Sequence, residues 1–177
     1  MFDIEIKARY KDHNKAREFL KANGARFHGI DQQIDVYFKV KNGRLKLRKG
    51  EIENALVYYT RDNVKDIKVS EYYLYHSQDP ELLESILRHS LGVLIEVRKK
   101  REMHYIDNIK FNLDVVDELG TFIEIEAMTD DESDFQKLKL KVEKLIEQLE
   151  IPQSAIQSHS YSDLLIEKRA IPPGTEG

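Results

Sequence analysis

Charged residues recur at every second position in several stretches of this 177-residue chain. Asp3, Glu5, Lys7 and Arg9 alternate with Phe2, Ile4, Ile6 and Ala8, so a strand here presents one apolar face and one fully charged face. Arg44, Lys46 and Arg48 alternate with Leu45 and Leu47 in the same way. Glu124 and Glu126 share a face of a later strand, and Asp114 lies on the strand before it. Carboxylates so spaced offer hard oxygen ligands that suit Mg²⁺ or Mn²⁺, ions that bridge readily to phosphate oxygens. Carboxylates two apart are also common on solvated strands, so the spacing alone leaves both readings open.

Two arrangements of such strands are open. An antiparallel sheet can place its apolar face beneath helices and leave its charged face in water. If the sheet closes instead, the charged faces line a tunnel that collects Lys7, Arg9, Arg44, Lys46, Arg48, Arg61, Lys68, Lys99 and Arg101. Two like charges about 6 Å apart, at an effective dielectric of about 20, repel by roughly 3 kcal/mol. A closed lumen therefore needs acidic partners, counterions or a polyanionic ligand.

The positioning elements follow from periodicity and punctuation. Strands are expected at residues 2 to 9, 27 to 40, 44 to 49, 55 to 61, 68 to 76, 93 to 105, 109 to 117 and 121 to 127. Asn42-Gly43 marks a hairpin turn, because both residue types tolerate positive φ. Asp12 caps a first helix that stops near Gly24, and Asp79-Pro80 opens a second with Leu83, Ile86 and Leu87 at helical spacing. Thr129 and Glu132 form a capping-box pattern ahead of a third helix carrying Phe135, Leu138, Val142, Leu145 and Leu149. A short helix covers Tyr161 to Lys168. The sum is an α+β chain with mostly hairpin connections, read as one domain over 1–170 with a flexible tail at 171–177.

Composition narrows the function. A net charge of -4 gives no general attraction for nucleic acid, and the chain holds no cysteine for disulfides or thiolate ligands. The longest apolar run, Ala55 to Tyr59, is far too short to cross a membrane as a helix, and no basic-then-apolar leader opens the chain. A cytoplasmic protein with no membrane partner is the expectation. The six histidines are scattered, and no glycine-rich Walker loop appears.

Against this background Asp3-Ile4-Glu5-Ile6-Lys7 resembles the Glu-x-Glu-x-Lys signature that opens proteins of the CYTH, or triphosphate tunnel metalloenzyme, family. Further short matches follow in order at 33–38, 45–48, Tyr59 with Arg61, Lys68 with Ser70, 97–101, 113–116, 119–126 and 161–165. The resemblance implies an antiparallel eight-stranded β-barrel tunnel with helices packed outside, acting on a triphosphate with Mg²⁺ or Mn²⁺. By carry-over, Glu5, Glu124 and Glu126 are the foremost metal ligands, followed by Asp3, whose side chain is one methylene shorter than the signature glutamate, and Asp114. Lys7, Arg9, Lys46, Arg48, Arg61, Lys68, Lys99 and Arg101 are the phosphate-binding candidates, and Lys7, Arg61 and Tyr37 the catalytic ones. A tyrosine in a strand is more often packing, so Tyr37 carries both readings.

The run Leu56 to Arg61 followed by Lys-x-Ser is closest to the class IV adenylyl cyclase-like branch, which converts ATP to cyclic AMP and pyrophosphate. An inorganic or thiamine triphosphatase is the alternative within the family, and a non-catalytic triphosphate- or nucleotide-binding module the alternative outside enzymes. An RNA 5′-triphosphatase would share the tunnel, but the acidic net charge counts against it. The resemblance also allows a homodimer.

Overall fold

The structure is a computed structural model and describes residues 2–60 and 65–170. Arg61, residues 62–64 and the expected tail at 171–177 lie outside the described residues. Among the described residues there are eight strands: β1 (Phe2–Arg9), β2 (Arg26–Phe38), β3 (Arg44–Lys49), β4 (Ala55–Thr60), β5 (Lys68–Tyr75), β6 (Val93–Ile106), β7 (Ile109–Val116) and β8 (Gly120–Thr129). Four α-helices accompany them: α1 (His13–Ala22), α2 (Pro80–Leu91), α3 (Phe135–Gln148) and α4 (Tyr161–Ala170).

All neighbouring strands are antiparallel, and the order β1-β5-β4-β3-β2-β6-β7-β8 closes on itself. Closure decides between the two arrangements open to the sequence. It leaves no sheet edge, and it turns one phase of every strand inward and the other outward. Ile4 and Ile6 of β1, Phe111 and Leu113 of β7, and Ile123 and Ile125 of β8 face outward into the main core under α1 and α3. Leu83 and Leu87 of α2 pack on Val36, Phe38 and Leu47. Tyr161 and Leu165 of α4 pack with Tyr37, Val116 and Phe122 and close one end of the barrel.

Local chemistry sets the helix boundaries. The Asp12 carboxylate accepts from the Lys15 N–H at 3.0 Å to open α1, and Asp79 accepts from Leu82 at 2.9 Å to open α2. Ser160 and Asp163 cap α4 reciprocally: the Ser160 N–H donates to the Asp163 carboxylate at 3.1 Å, and the Asp163 N–H to the Ser160 hydroxyl at 3.2 Å.

Two expectations are corrected. Thr129 ends β8 rather than capping a helix; Asp131 accepts from Ser133 at 2.8 Å and opens a 3₁₀ turn at Glu132–Asp134, and α3 begins only at Phe135. The closer acceptor wins the cap. Of the apolar residues of α2, Leu83 and Leu87 pack on the barrel and Ile86 is 54% exposed. The β2–β3 connection runs over five residues, from Lys39 to Gly43, and only Gly43 takes positive φ, at 66°.

No helix among the described residues is long and apolar enough to cross a membrane. Truncating Ile125, which is fully buried in the main core, tests the outward phase of β8. Ile125→Ala should cost about 2–5 kcal/mol in urea unfolding, whereas Ile86→Ala should stay within about 0.5 kcal/mol.

Candidate active site

The inward phases of the strands enclose a cavity of about 390 Å³. Its lining includes the cations Lys7, Lys46, Arg48, Lys99, Arg101 and Lys110, and the carboxylates Asp3, Glu5, Asp35, Glu53, Glu124 and Glu126. Their formal charges cancel. The pairing has a definite layout along the barrel, set by strand register.

Asp35 of β2 sits opposite Arg48 of β3 and gathers three cations. Lys99 donates to it at 2.8 Å, Lys46 at 2.9 Å, and Arg48 at 2.9 and 3.1 Å. Burial alone would raise the Asp35 pKa, but the charges of Arg48, Lys46 and Lys99 outweigh it and hold the carboxyl well below its usual range. The opposite balance governs Lys99. Burial, helped by the nearby Arg48, Arg101 and Lys46, outweighs the attraction of Asp35 and pulls its pKa down to about 7.

Toward α4, Arg101 forks onto Asp114 at 2.8 and 2.6 Å and reaches Glu124 at 2.5 Å. Lys7 completes the group at 3.0 Å from Glu124 and lies 4.2 Å from the centre of the Tyr161 ring. The Tyr161 hydroxyl donates to Asp114 at 2.8 Å, so α4 is built into the wall of the site. At the other end Glu53, in the β3–β4 connection, accepts from Gln33 at 2.8 Å, from Arg48 at 2.9 Å and from Lys110.

A third group brings together carboxylates of β1 and β8. Asp3 and Glu5 are two residues apart on β1, and Glu126 stands opposite Glu5 on β8. Each offers a carboxylate oxygen, and these oxygens lie within 4.8 Å of one another. Three carboxylates this close repel unless a cation sits among them, and an all-oxygen donor set fits Mg²⁺ or Mn²⁺. Arg101 and Lys110 approach Glu126 only at 3.9 and 3.8 Å.

The structure thus brings Asp3, Glu5, Lys7, Tyr37, Lys46, Arg48, Lys99, Arg101, Glu124 and Glu126 to one cavity. It places Asp3 inside the carboxylate cluster, and Glu124 and Asp114 in ion pairs beside it. Three expected lumen cations do not line the cavity. Arg9 ends β1 at the rim, donating to the Leu119 carbonyl at 2.9 Å against the Phe122 ring. Arg44 opens β3 and pairs with Asp163 of α4 at 2.8 Å. Lys68, the first residue of β5, is buried and donates to the Gln157 carbonyl at 2.7 Å. All three stand at strand ends. Arg61 lies outside the described residues.

The Tyr37 hydroxyl is buried, which raises its pKa, and the negative Asp35 nearby adds to the rise. Sequence reasoning missed Asp35, Glu53, Lys110 and Asn112, whose buried amide has no hydrogen-bond partner on either atom in the structure. Asp35 shares its strand phase with Tyr37, and Lys110 and Asn112 share theirs with Asp114, so alternation could have found these three.

The fold and the site together define a closed antiparallel barrel with a charged, internally paired lumen. The chain belongs to the CYTH domain family, which matches residues 1–161. It is 29% identical over 174 residues to a Methanocaldococcus jannaschii protein provisionally named adenylate cyclase MJ0240, covering 93% of this chain and 98% of that protein. It is similar to the PH1012 protein from Pyrococcus horikoshii OT3, with 26% identity, a TM-score of 0.74, and coverage of 92% of this chain and 98% of the other. The fold is shared with HpAC1 from Hippeastrum, provisionally named an adenylyl cyclase and described as having a dominant triphosphatase activity, at 14% identity and a TM-score of 0.66 over 99% of this chain and 98% of that one.

Asp35→Asn tests the internal pairing, since it leaves Lys46, Arg48 and Lys99 without their shared carboxylate. Loss of one side of a buried ion-pair group should cost about 3–5 kcal/mol in denaturant unfolding.

Proposed function

We propose that the protein is a divalent-metal-dependent enzyme that holds a triphosphate along the barrel lumen, with ATP as substrate and cyclic AMP and pyrophosphate as products. The observation that carries this reading is the cluster of Asp3, Glu5 and Glu126 beside six cations in one enclosed lumen. Mg²⁺ or Mn²⁺ held by Asp3, Glu5 and Glu126, with Glu124 adjacent, would supply Lewis acidity and neutralise phosphate charge.

The chain's own residues have separate tasks. Lys7 and Arg101 at the α4 end, and Lys46, Arg48, Lys99 and Lys110 farther along, present ammonium and guanidinium donors to phosphate oxygens. Before substrate arrives, the Asp35 and Glu124 carboxylates already orient Lys46, Arg48, Lys99, Lys7 and Arg101. Helix α4 and its Tyr161 exclude water from one end of the lumen. The buried Tyr37 hydroxyl, kept protonated by its raised pKa, would donate a hydrogen bond that orients the reacting hydroxyl.

In cyclisation the ribose 3′-oxygen bonds to the α-phosphorus, the bond from that phosphorus to its bridging oxygen breaks, and pyrophosphate leaves with the electron pair. The hydroxyl proton passes to solvent water as the new ester forms. The name carried by the Methanocaldococcus jannaschii relative supports cyclisation over hydrolysis.

Incubation with ATP, tripolyphosphate and thiamine triphosphate, each with Mg²⁺ or Mn²⁺, should release cyclic AMP and pyrophosphate from ATP. Glu126→Gln should lower that turnover by about 10²-fold or more. Orthophosphate from tripolyphosphate or thiamine triphosphate would make the protein a triphosphatase, and tight binding without any product would make it a non-catalytic module.

A further inference from the structure

The β3–β4 connection is folded into the barrel mouth by a specific device. Asp31 of β2 accepts from the N–H groups of Glu51 at 2.8 Å and Glu53 at 3.0 Å, and from the Gln33 amide at 3.0 Å. At Gly50 any side chain would strike the Asp31 carboxylate, so the turn comes this close only with glycine there. The result aims Glu53 inward. Its carboxylate takes Arg48, Lys110 and Gln33 together, a set of donors such as a phosphate group would use.

This end of the lumen lies opposite α4. Arg44, at the start of β3, pairs with Asp163 of α4, whereas Glu53 follows the end of that strand. An anion held by Lys7 and Arg101 near Tyr161 can leave Glu53 where it is. One long enough to reach Arg48 and Lys110 must displace it.

We infer that Glu53 holds the place of a phosphate at the open end of the tunnel and discriminates among phosphate chains by length. The inference rests on the tunnel being a triphosphate site. Displacing a carboxylate from two cations opposes every ligand that reaches them, so the penalty falls on longer chains and spares shorter ones. Removing the charge while keeping the side-chain shape should lift that penalty selectively.

The test is calorimetric titration of tripolyphosphate and pyrophosphate, each with Mg²⁺, into wild type, Glu53→Gln and Glu53→Asp, with thermal unfolding of each variant to confirm the fold. Glu53→Gln should tighten tripolyphosphate by about tenfold and pyrophosphate by less than about threefold, with Glu53→Asp between it and wild type. Asp31→Asn, which loosens the connection without removing the charge, should move tripolyphosphate affinity in the same direction and serves if Glu53→Gln does not fold. Unchanged or weaker tripolyphosphate binding in the folded variants, or equal gains for both ligands, would overturn the inference. Wild type that fails to bind tripolyphosphate would instead remove the proposed function on which it rests.

Discussion

Six cations and six carboxylates share a lumen of about 390 Å³, and every one of those cations has a carboxylate within reach. A buried charge without a partner costs several kcal/mol, so the barrel can close around so many lysines and arginines only because Asp35, Glu53, Glu124 and Asp114 offset them. The pairing also explains why the donors are already aimed inward. The same carboxylates that permit folding hold the cations where a phosphate chain would need them.

The outer structure serves that lumen. Apolar residues of β1, β7 and β8 bury beneath α1 and α3, and α2 covers β2 and β3, so the strands keep their charged phase inward. Helix α4 does more than cover. Its capping pair Ser160 and Asp163 joins it to Arg44, and Tyr161 joins it to Asp114, so one end of the tunnel is sealed by groups hydrogen-bonded to the charge network itself. The unequal ends give the lumen a direction.

Much of this was legible in the alternation of charged and apolar residues. Strand phase placed Lys7, Lys46, Arg48, Lys99 and Arg101 on one surface, and the spacing of Asp3 and Glu5 made them candidate ligands. Phase says which face a residue takes, not how far along the barrel it stands. For that reason Arg9, Arg44 and Lys68 had the correct phase yet found partners at the ends. Glu53 was illegible, because a loop has no phase and its inward aim depends on Asp31, 22 residues away in sequence. The meeting of Asp3, Glu5 and Glu126 was equally hidden, since it depends on cross-strand register.

Lys99 gives the network a reporter. Its pKa of about 7 in the free protein leaves it mostly neutral at about pH 8, and the negative charge of a phosphate chain would raise that pKa again. Binding then takes up a proton, and affinity falls as pH rises above about 7. The most direct measurement is calorimetric titration of wild-type protein with tripolyphosphate and Mg²⁺ at about pH 8 in two buffers of different ionisation enthalpy. The account predicts a single bound chain per protein and uptake of about one proton, lost in Lys99→Met. No binding, or binding with no proton uptake, would contradict it.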